Sequence, residues 1–151
     1  MIALDTNFLV YAHRSDNPFH LIARSAIEHL VRGIAPWGIP VVCVHEFLAV
    51  VTNPKIFKQA TPRTLAFEQI EALLAQPGAR LLMPSERHLA SLRRLAESGQ
   101  TIGAQFHDAR IAAICLENGV TKLWSADRDF SAYPQLTCQS PKDLLAANFA
   151  L

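Results

Sequence analysis

Short continuous apolar runs alternate along the chain with longer segments whose apolar residues recur every three or four positions. The first run, Met1–Leu4, stops at Asp5 and reads as a buried strand. Thr6 or Asn7 can then cap a helix over Phe8–His13. Asn17-Pro18 breaks the pattern, and Pro18 suits a first helical position. Leu21, Ile22, Ile27, Leu30 and Val31 keep helical spacing as far as Gly33. Ile39–Val44 is a continuous, largely β-branched run that predicts a second buried strand, followed by a helix over His45–Thr52 that ends at Asn53-Pro54. Thr61-Pro62 opens another helix, with Leu65, Gln69, Ile70, Leu73 and Leu74 on one face, and Pro77-Gly78 closes it. Arg80–Met83 predicts a third strand. Ser85 is a cap for a helix that runs to Ser98-Gly99. After a loop at Thr101–Ala104, Gln105–Glu117 predicts a helix stopped by Asn118-Gly119. Lys122–Ser125 predicts a fourth strand, Asp127–Asp129 a turn, Leu136–Cys138 a short fifth strand and Pro141–Ala147 a last short helix.

Strands that alternate with helices predict an α/β fold: a three-layer α/β/α arrangement around a parallel sheet of four to five strands. No internal repeat, low-complexity segment or linker divides the chain. With 151 residues it fits one domain, residues 1–151, against the usual ~100–200 residues per domain. Half of the residues are hydrophobic and 18% are charged, which excludes a disordered chain. The most apolar stretch, Gly38–Val51, is interrupted by His45 and Glu46 and is too short for a membrane span. No basic, apolar leader is recognisable, so a cytoplasmic protein is expected. Cys43, Cys115 and Cys138 lie far apart with no CxxC spacing, and read as reduced core residues.

The chemistry lies in the carboxylates. Sites in open parallel sheets form beyond the carboxyl ends of the strands. Asp5 ends the first strand, Glu46 follows the second and Asp127 follows the fourth. Asp108 falls in the first turn of its helix, with Ile111, Ala112 and Cys115 on the same side, and Glu46 is followed by Ala49 and Val50 in the same way. Carboxylates projecting from apolar faces toward one edge repel each other and lose hydration, and a cation best explains them. All-oxygen ligation selects Mg²⁺, Mn²⁺ or Ca²⁺ over zinc. Such an ion is suited to activating water against a phosphodiester. Four of the acids also have a purely structural reading: Asp5 as a helix cap, Asp108 as a complement to the helix dipole, Asp127 and Asp129 as turn residues; Glu46, amid Val, Phe and Leu, is harder to explain that way. The six histidines carry no comparable pattern, and no nucleophile elbow or phosphate-binding glycine loop is present.

At these residues the chain resembles the PIN-domain ribonucleases, and among them the VapC-type toxins of toxin–antitoxin pairs. The matching segments are Met1–Val10 (MIALDTNFLV), Val44–Pro54 (VHEFLAVVTNP), His107–Val120 (HDARIAAICLENGV) and Leu123–Phe130 (LWSADRDF). The resemblance implies an endoribonuclease that uses one or two Mg²⁺ or Mn²⁺ ions and cleaves RNA with a metal-activated water. It makes Asp5, Glu46, Asp108 and Asp127 the catalytic, metal-holding quartet. Thr6, Asn7 and Ser125 become supporting polar residues, and Asp129 a second ligand or a support. It also implies a cognate antitoxin and a homodimer.

Between Phe47 and Phe67 the only charged residues are Lys55, Lys58 and Arg63, so this stretch is a candidate RNA-tracking surface, with Arg110 and Arg128 beside proposed ligands. The helix from Thr61 to Gln76 and the segment before it, with Phe57, Leu65, Phe67 and Leu73, would supply part of an antitoxin groove. The formal charge of +1 argues against a polyanionic partner until the quartet is set aside from the 13 acids; the rest of the molecule is then mildly basic. Two other readings stand beside the ribonuclease. One is a non-catalytic PIN-fold module that binds RNA or protein. The other is a receiver-like phosphoacceptor domain, which the lone early acid and the position of Lys122 disfavour.

Overall fold

The computed structural model describes residues 1–147; residues 148–151 lie outside the described residues. Its elements in order are β1 (Ile2–Leu4), α1 (Thr6–His13), α2 (His20–Arg32), β2 (Trp37–Pro40), α3 (Val41–Val51), α4 (Arg63–Leu74), β3 (Ala79–Leu82), α5 (His88–Ser98), α6 (Phe106–Glu117), β4 (Lys122–Trp124), β5 (Thr137–Gln139) and α7 (Pro141–Ala146). Short 3₁₀ turns at Gly103–Gln105 and Asp129–Ala132 precede α6 and follow β4.

All five strands are parallel, in the order β3-β2-β1-β4-β5. The chain therefore winds one way from β1 to β3 and the other way from β4 to β5. Right-handed crossovers put the helices of the two directions on opposite faces. The packing agrees: α1 lies against α2 and α3, and α3 against α4, while α5 and α6 pack together. The winding reverses between β1 and β4, which are paired from Ile2↔Lys122 to Leu4↔Trp124. A crevice at the carboxyl ends of these two strands follows from the topology.

The sheet is buried from both sides, so its strands read as apolar runs and do not alternate. Trp37, Trp124, Phe8, Phe47, Phe130 and Tyr133 are its largest buried side chains, and Phe8 stacks on Trp124 with ring centroids 5.5 Å apart. Burial of this kind stabilises by roughly 25 cal/mol per Å² of apolar surface.

The largest departure from the sequence reading is at β2. The strand is Trp37–Pro40, not Ile39–Val44, and Val41–Val44 form the first turn of α3. Pro40 sits at the cap of that helix with an extended ψ of 136°, a position where its missing N–H costs nothing. Gly38 is required inside the strand, because a Cβ there would lie 2.6 Å from Leu82 Cδ2. Two cap expectations also change. Asp5, not Thr6 or Asn7, caps α1. Ser85 does not cap α5, which starts three residues later behind Arg87. Ser85 Oγ instead accepts the Arg87 N–H at 3.2 Å.

Candidate active site at the sheet edge

Asp5 sits where β1 becomes α1 with no intervening loop, so its carboxylate lies at the mouth of the crevice and is 4% exposed. Four donors hold it. Oδ1 accepts from the Thr6 N–H at 2.7 Å and from Cys43 Sγ at 3.6 Å. Oδ2 accepts from Asn7 Nδ2 at 2.8 Å and from Ser125 Oγ at 2.5 Å. Burial nevertheless pushes its pKa up, against the pull of Ser125, Thr6 and Cys43. Asp5 is thus the helix cap of its structural reading and a member of the acidic group at once.

Asn7 and Ser125 tie the two strand ends together. Asn7 Nδ2 also donates to Ser125 Oγ at 3.0 Å, and Asn7 Oδ1 accepts the Ala126 N–H at 3.0 Å. Ser125 Oγ further accepts the Asp127 N–H at 3.0 Å. The turn after β4 is therefore hung from the first turn of α1. Within that turn Asp127 Oδ1 accepts the Asp129 N–H at 2.9 Å. This folds Asp129 back beside Asp127.

Asp108, Asp127 and Asp129 each bring one carboxylate oxygen within 4.8 Å of the other two. Burial, followed by the charges of Asp127, Asp5, Asp129 and Glu46, raises the Asp108 pKa to about 6. Everything that acts on Asp108 favours its neutral form unless a cation is supplied. Tyr11 feels the same field, since burial and the charges of Asp5 and Asp127 push its hydroxyl up.

Glu46 lies at the edge of this group. Its side chain is 33% exposed, more open than the apolar side of α3 suggests. Oε2 accepts from Thr6 Oγ1 at 2.8 Å and Oε1 from Arg110 Nη2 at 2.7 Å. Arg110, expected at phosphate, is here engaged with Glu46, while its Nε is buried without a hydrogen-bond partner among the described residues. The pair spans 64 residues, so no local pattern could have found it. The sequence marks Cys43 simply as core, and its nearness to Asp5, 38 positions away, has no signal there either.

The remaining basic residues are spread out. Arg128 is exposed beside Asp127. Lys55, Lys58 and Arg63 are exposed on the segment after α3. That segment packs beside the C-terminal end of α1, through His13 Nε2 and Thr61 Oγ1 at 2.8 Å and Arg14 Nη1 donating to Gln59 O at 2.8 Å. Eight residues of helix, about 12 Å, separate that end from Asp5.

A groove of about 650 Å³ runs between α1, α2, α3 and α4, with Leu9, Ile27, Val31, Phe47 and Leu73 on its walls. Of the four apolar residues expected there, only Leu73 lines it. Phe57 instead lies under Arg14, whose guanidinium sits 4.2 Å from the ring centroid. Leu65 and Phe67 are 42% and 47% exposed, outside the groove lining.

Fold and site together define a parallel α/β/α domain with an all-oxygen acidic centre where its winding reverses. The chain matches the PIN domain over residues 2–136, and it belongs to the PIN-domain family. Ribonuclease VapC43 of Mycobacterium tuberculosis is 40% identical over 143 residues, which cover 95% of this chain and 97% of that protein. Among solved structures, FitAcB of Neisseria gonorrhoeae superposes with a TM-score of 0.69 at 19% identity, over 94% of this chain and 99% of that one. VapBC2 of Rickettsia felis, bound to a DNA fragment from its promoter, gives a TM-score of 0.65 at 18% identity, over 93% and 98%. These two likenesses establish the fold.

Proposed function

We propose that the protein is a Mg²⁺- or Mn²⁺-dependent endoribonuclease, acting as the toxin of a toxin–antitoxin pair through one domain over residues 1–151. The observation that carries this reading is the triad Asp108, Asp127 and Asp129, whose oxygens converge within 4.8 Å beside the buried Asp5. The donor set suits a hard divalent cation: it is all oxygen, in mutual repulsion, and its one ion-paired cation among the described residues, Arg110, stands on Glu46 at the rim. Asp5, Asp108, Asp127 and Glu46 would hold one or two ions, with Asp129 as a further ligand. When bound, the ion supplies Lewis-acid stabilisation of a phosphodiester and lowers the pKa of a coordinated water. The chain's own contribution is orientation. Thr6, Asn7 and Ser125 fix Asp5, and Thr6 with Arg110 fixes Glu46, so neither carboxylate must reorganise as charge develops on the phosphate.

The sequence likeness to a protein named a ribonuclease supports RNA as the substrate and so a cytoplasmic setting. No helix among the described residues is long and apolar enough to cross a membrane. Lys55, Lys58, Arg63 and Arg128 would follow the RNA backbone, the first three at phosphates remote from the scissile one. The groove between α1 and α4 would receive an apolar segment of the antitoxin. A homodimer is proposed on the family resemblance alone.

Purified protein should gain thermal stability with Mn²⁺, because a ligand bound only by the native state stabilises it by mass action. It should cleave RNA with Mn²⁺ and not in EDTA. Cleavage that persists in EDTA sinks the metal mechanism, and RNA binding without cleavage under every metal condition favours the non-catalytic module.

A further inference from the structure

A second cleft opens from the carboxylate group toward β5. Its volume is about 770 Å³, within the ~300–1,000 Å³ common for small-ligand sites. It shares no lining residue with the groove assigned to the antitoxin. One wall is Asp127 itself. Another is apolar, from Phe19 and Pro134, and a third carries Arg128 and Lys142. Both cations are exposed, and neither forms an ion pair within 4.0 Å among the described residues.

Phe19 is held in place. Its ring lies 5.4 Å from that of Tyr11 at 43°, and its N–H donates to Asn17 Oδ1 at 2.8 Å. A ring fixed from behind and half-buried presents a flat apolar surface at little entropic cost. One anion, Asp143, also lines the cleft. It is spent on α7, where its Oδ2 accepts from Ser140 N and Ser140 Oγ, each at 2.7 Å.

A planar apolar surface, two exposed cations outside any close ion pair (Arg128 also acts on Asp143 through its charge) and a shared wall with the candidate metal centre match one ligand chemistry. That ligand is a nucleotide covalently continuous with the phosphodiester at Asp127. We propose that this cleft is a nucleotide subsite for the substrate RNA. The base of a nucleotide flanking the scissile bond stacks on Phe19, and its phosphate lies between Arg128 and Lys142. The proposal rests on the ribonuclease reading and adds residues that recognise substrate without touching the reacting atoms. Stacking on an aromatic ring tolerates every base, so the subsite sets affinity and register before it sets sequence.

The test uses the full chain and a fluorescently labelled single-stranded RNA oligonucleotide. Binding is read by anisotropy in EDTA, where no cleavage occurs, and steady-state cleavage is read with Mn²⁺. The paired exposed change Arg128→Ala with Lys142→Ala should raise both Kd and KM about tenfold, leave kcat within twofold and flatten the salt dependence of binding. Phe19→Ala should raise Kd by a similar factor. Phe19→Trp should restore it, which a purely structural Phe19 would not predict. If Phe19→Ala fails to fold, the exposed pair still decides. A cleaving wild type whose Arg128→Ala/Lys142→Ala variant keeps its Kd and KM overturns the subsite alone. A wild type that cleaves no RNA with Mn²⁺ overturns the ribonuclease reading and the subsite with it.

Discussion

Asp5 and Asp108 carry the same charge into the same crevice, yet they are built into it in opposite ways. Asp5 is deeply buried and answered by four donors from three separate segments of the chain. Asp108 is less buried, and the influences on it are burial and four neighbouring carboxylates. The first side of the site is complete in the protein alone, because its hydrogen bonds close among α1, Cys43 of α3 and the turn after β4. The second side is left electrostatically open, because Asp108, Asp127 and Asp129 converge and repel one another. The Asp5 side therefore adds to metal-free stability and the Asp108 side detracts from it, and substitutions should separate the two.

The largest effect is expected for Asp5→Asn. The amide NH₂ would face the Thr6 N–H or the Asn7 Nδ2 and Ser125 Oγ donors, leaving buried donors unmatched. A mismatch of that kind costs about 1–3 kcal/mol. Melting in EDTA should fall accordingly, the Mn²⁺-induced gain should vanish, and RNA cleavage should drop to background. An Asp5→Asn protein that melts like wild type would show that the Asp5 side is no more built than the other.

Asp108→Asn should do the reverse in EDTA. It removes one charge from a repelling group and takes away no donor's partner. The metal-free protein should melt higher, by about 0.5 kcal/mol for a pair of this exposure, while its gain with Mn²⁺ is lost. A variant that is less stable without metal and still stabilised by it would break the comparison.

The pH dependence follows from the same asymmetry. Asp108 titrates near 6 in the folded protein and near its ordinary 3.8 when unfolded. Between those values the native state holds more protons than the unfolded state, so metal-free stability falls as pH rises through the window. Protons and Mn²⁺ then compete for one carboxylate, and the thermal gain at fixed Mn²⁺ should shrink below about pH 6. Melting curves from pH 4 to 7, with and without Mn²⁺, read both slopes. In Asp108→Asn the metal-free slope should flatten.

The carboxylates of the site are far more legible in the sequence than the hydrogen bonds that complete one of them. Asp5, Asp108 and Asp127 stand at strand or helix ends, where alternation of strand and helix locates them without tertiary information. The hydrogen bonds that complete Asp5 join residues 38 and 120 positions apart, to Cys43 and Ser125, and the pattern of apolar positions does not encode such pairings. The fold shows the same limit. Periodicity finds the layers, but Val41–Val44 is β-branched and continuous, and only Pro40 and the contact of Gly38 with Leu82 move the strand back to Trp37–Pro40. Asp129 lies between the two cases. Its spacing from Asp127 marks a turn, yet that turn is also what brings its carboxylate to the acidic group.

Arg110→Ala should give the smallest effect, and it tests where the two sides meet. Arg110 Nη2 donates to Glu46 Oε1 at 2.7 Å, with both side chains about one-third exposed (34% and 33%). An ion pair this open is worth about 0.3 kcal/mol, or roughly 1 °C in a domain of this size. Its loss should lower the metal-free melting temperature by no more than that. Glu46 would keep Thr6 Oγ1 and lose its cation, so its charge would add to the open side of the site. The Mn²⁺-induced gain should then grow, even as the metal-free protein weakens. Arg110→Lys should fall between, because an ammonium supplies the charge without the planar fork. The sequence alone points Arg110 at RNA phosphate, and that role makes a different forecast. Metal-free melting and the Mn²⁺ gain would both stay at wild-type values, and RNA affinity in EDTA would fall. Measured together, the two melting curves and the EDTA binding curve decide whether Arg110 stands in for part of the missing positive charge or serves the substrate.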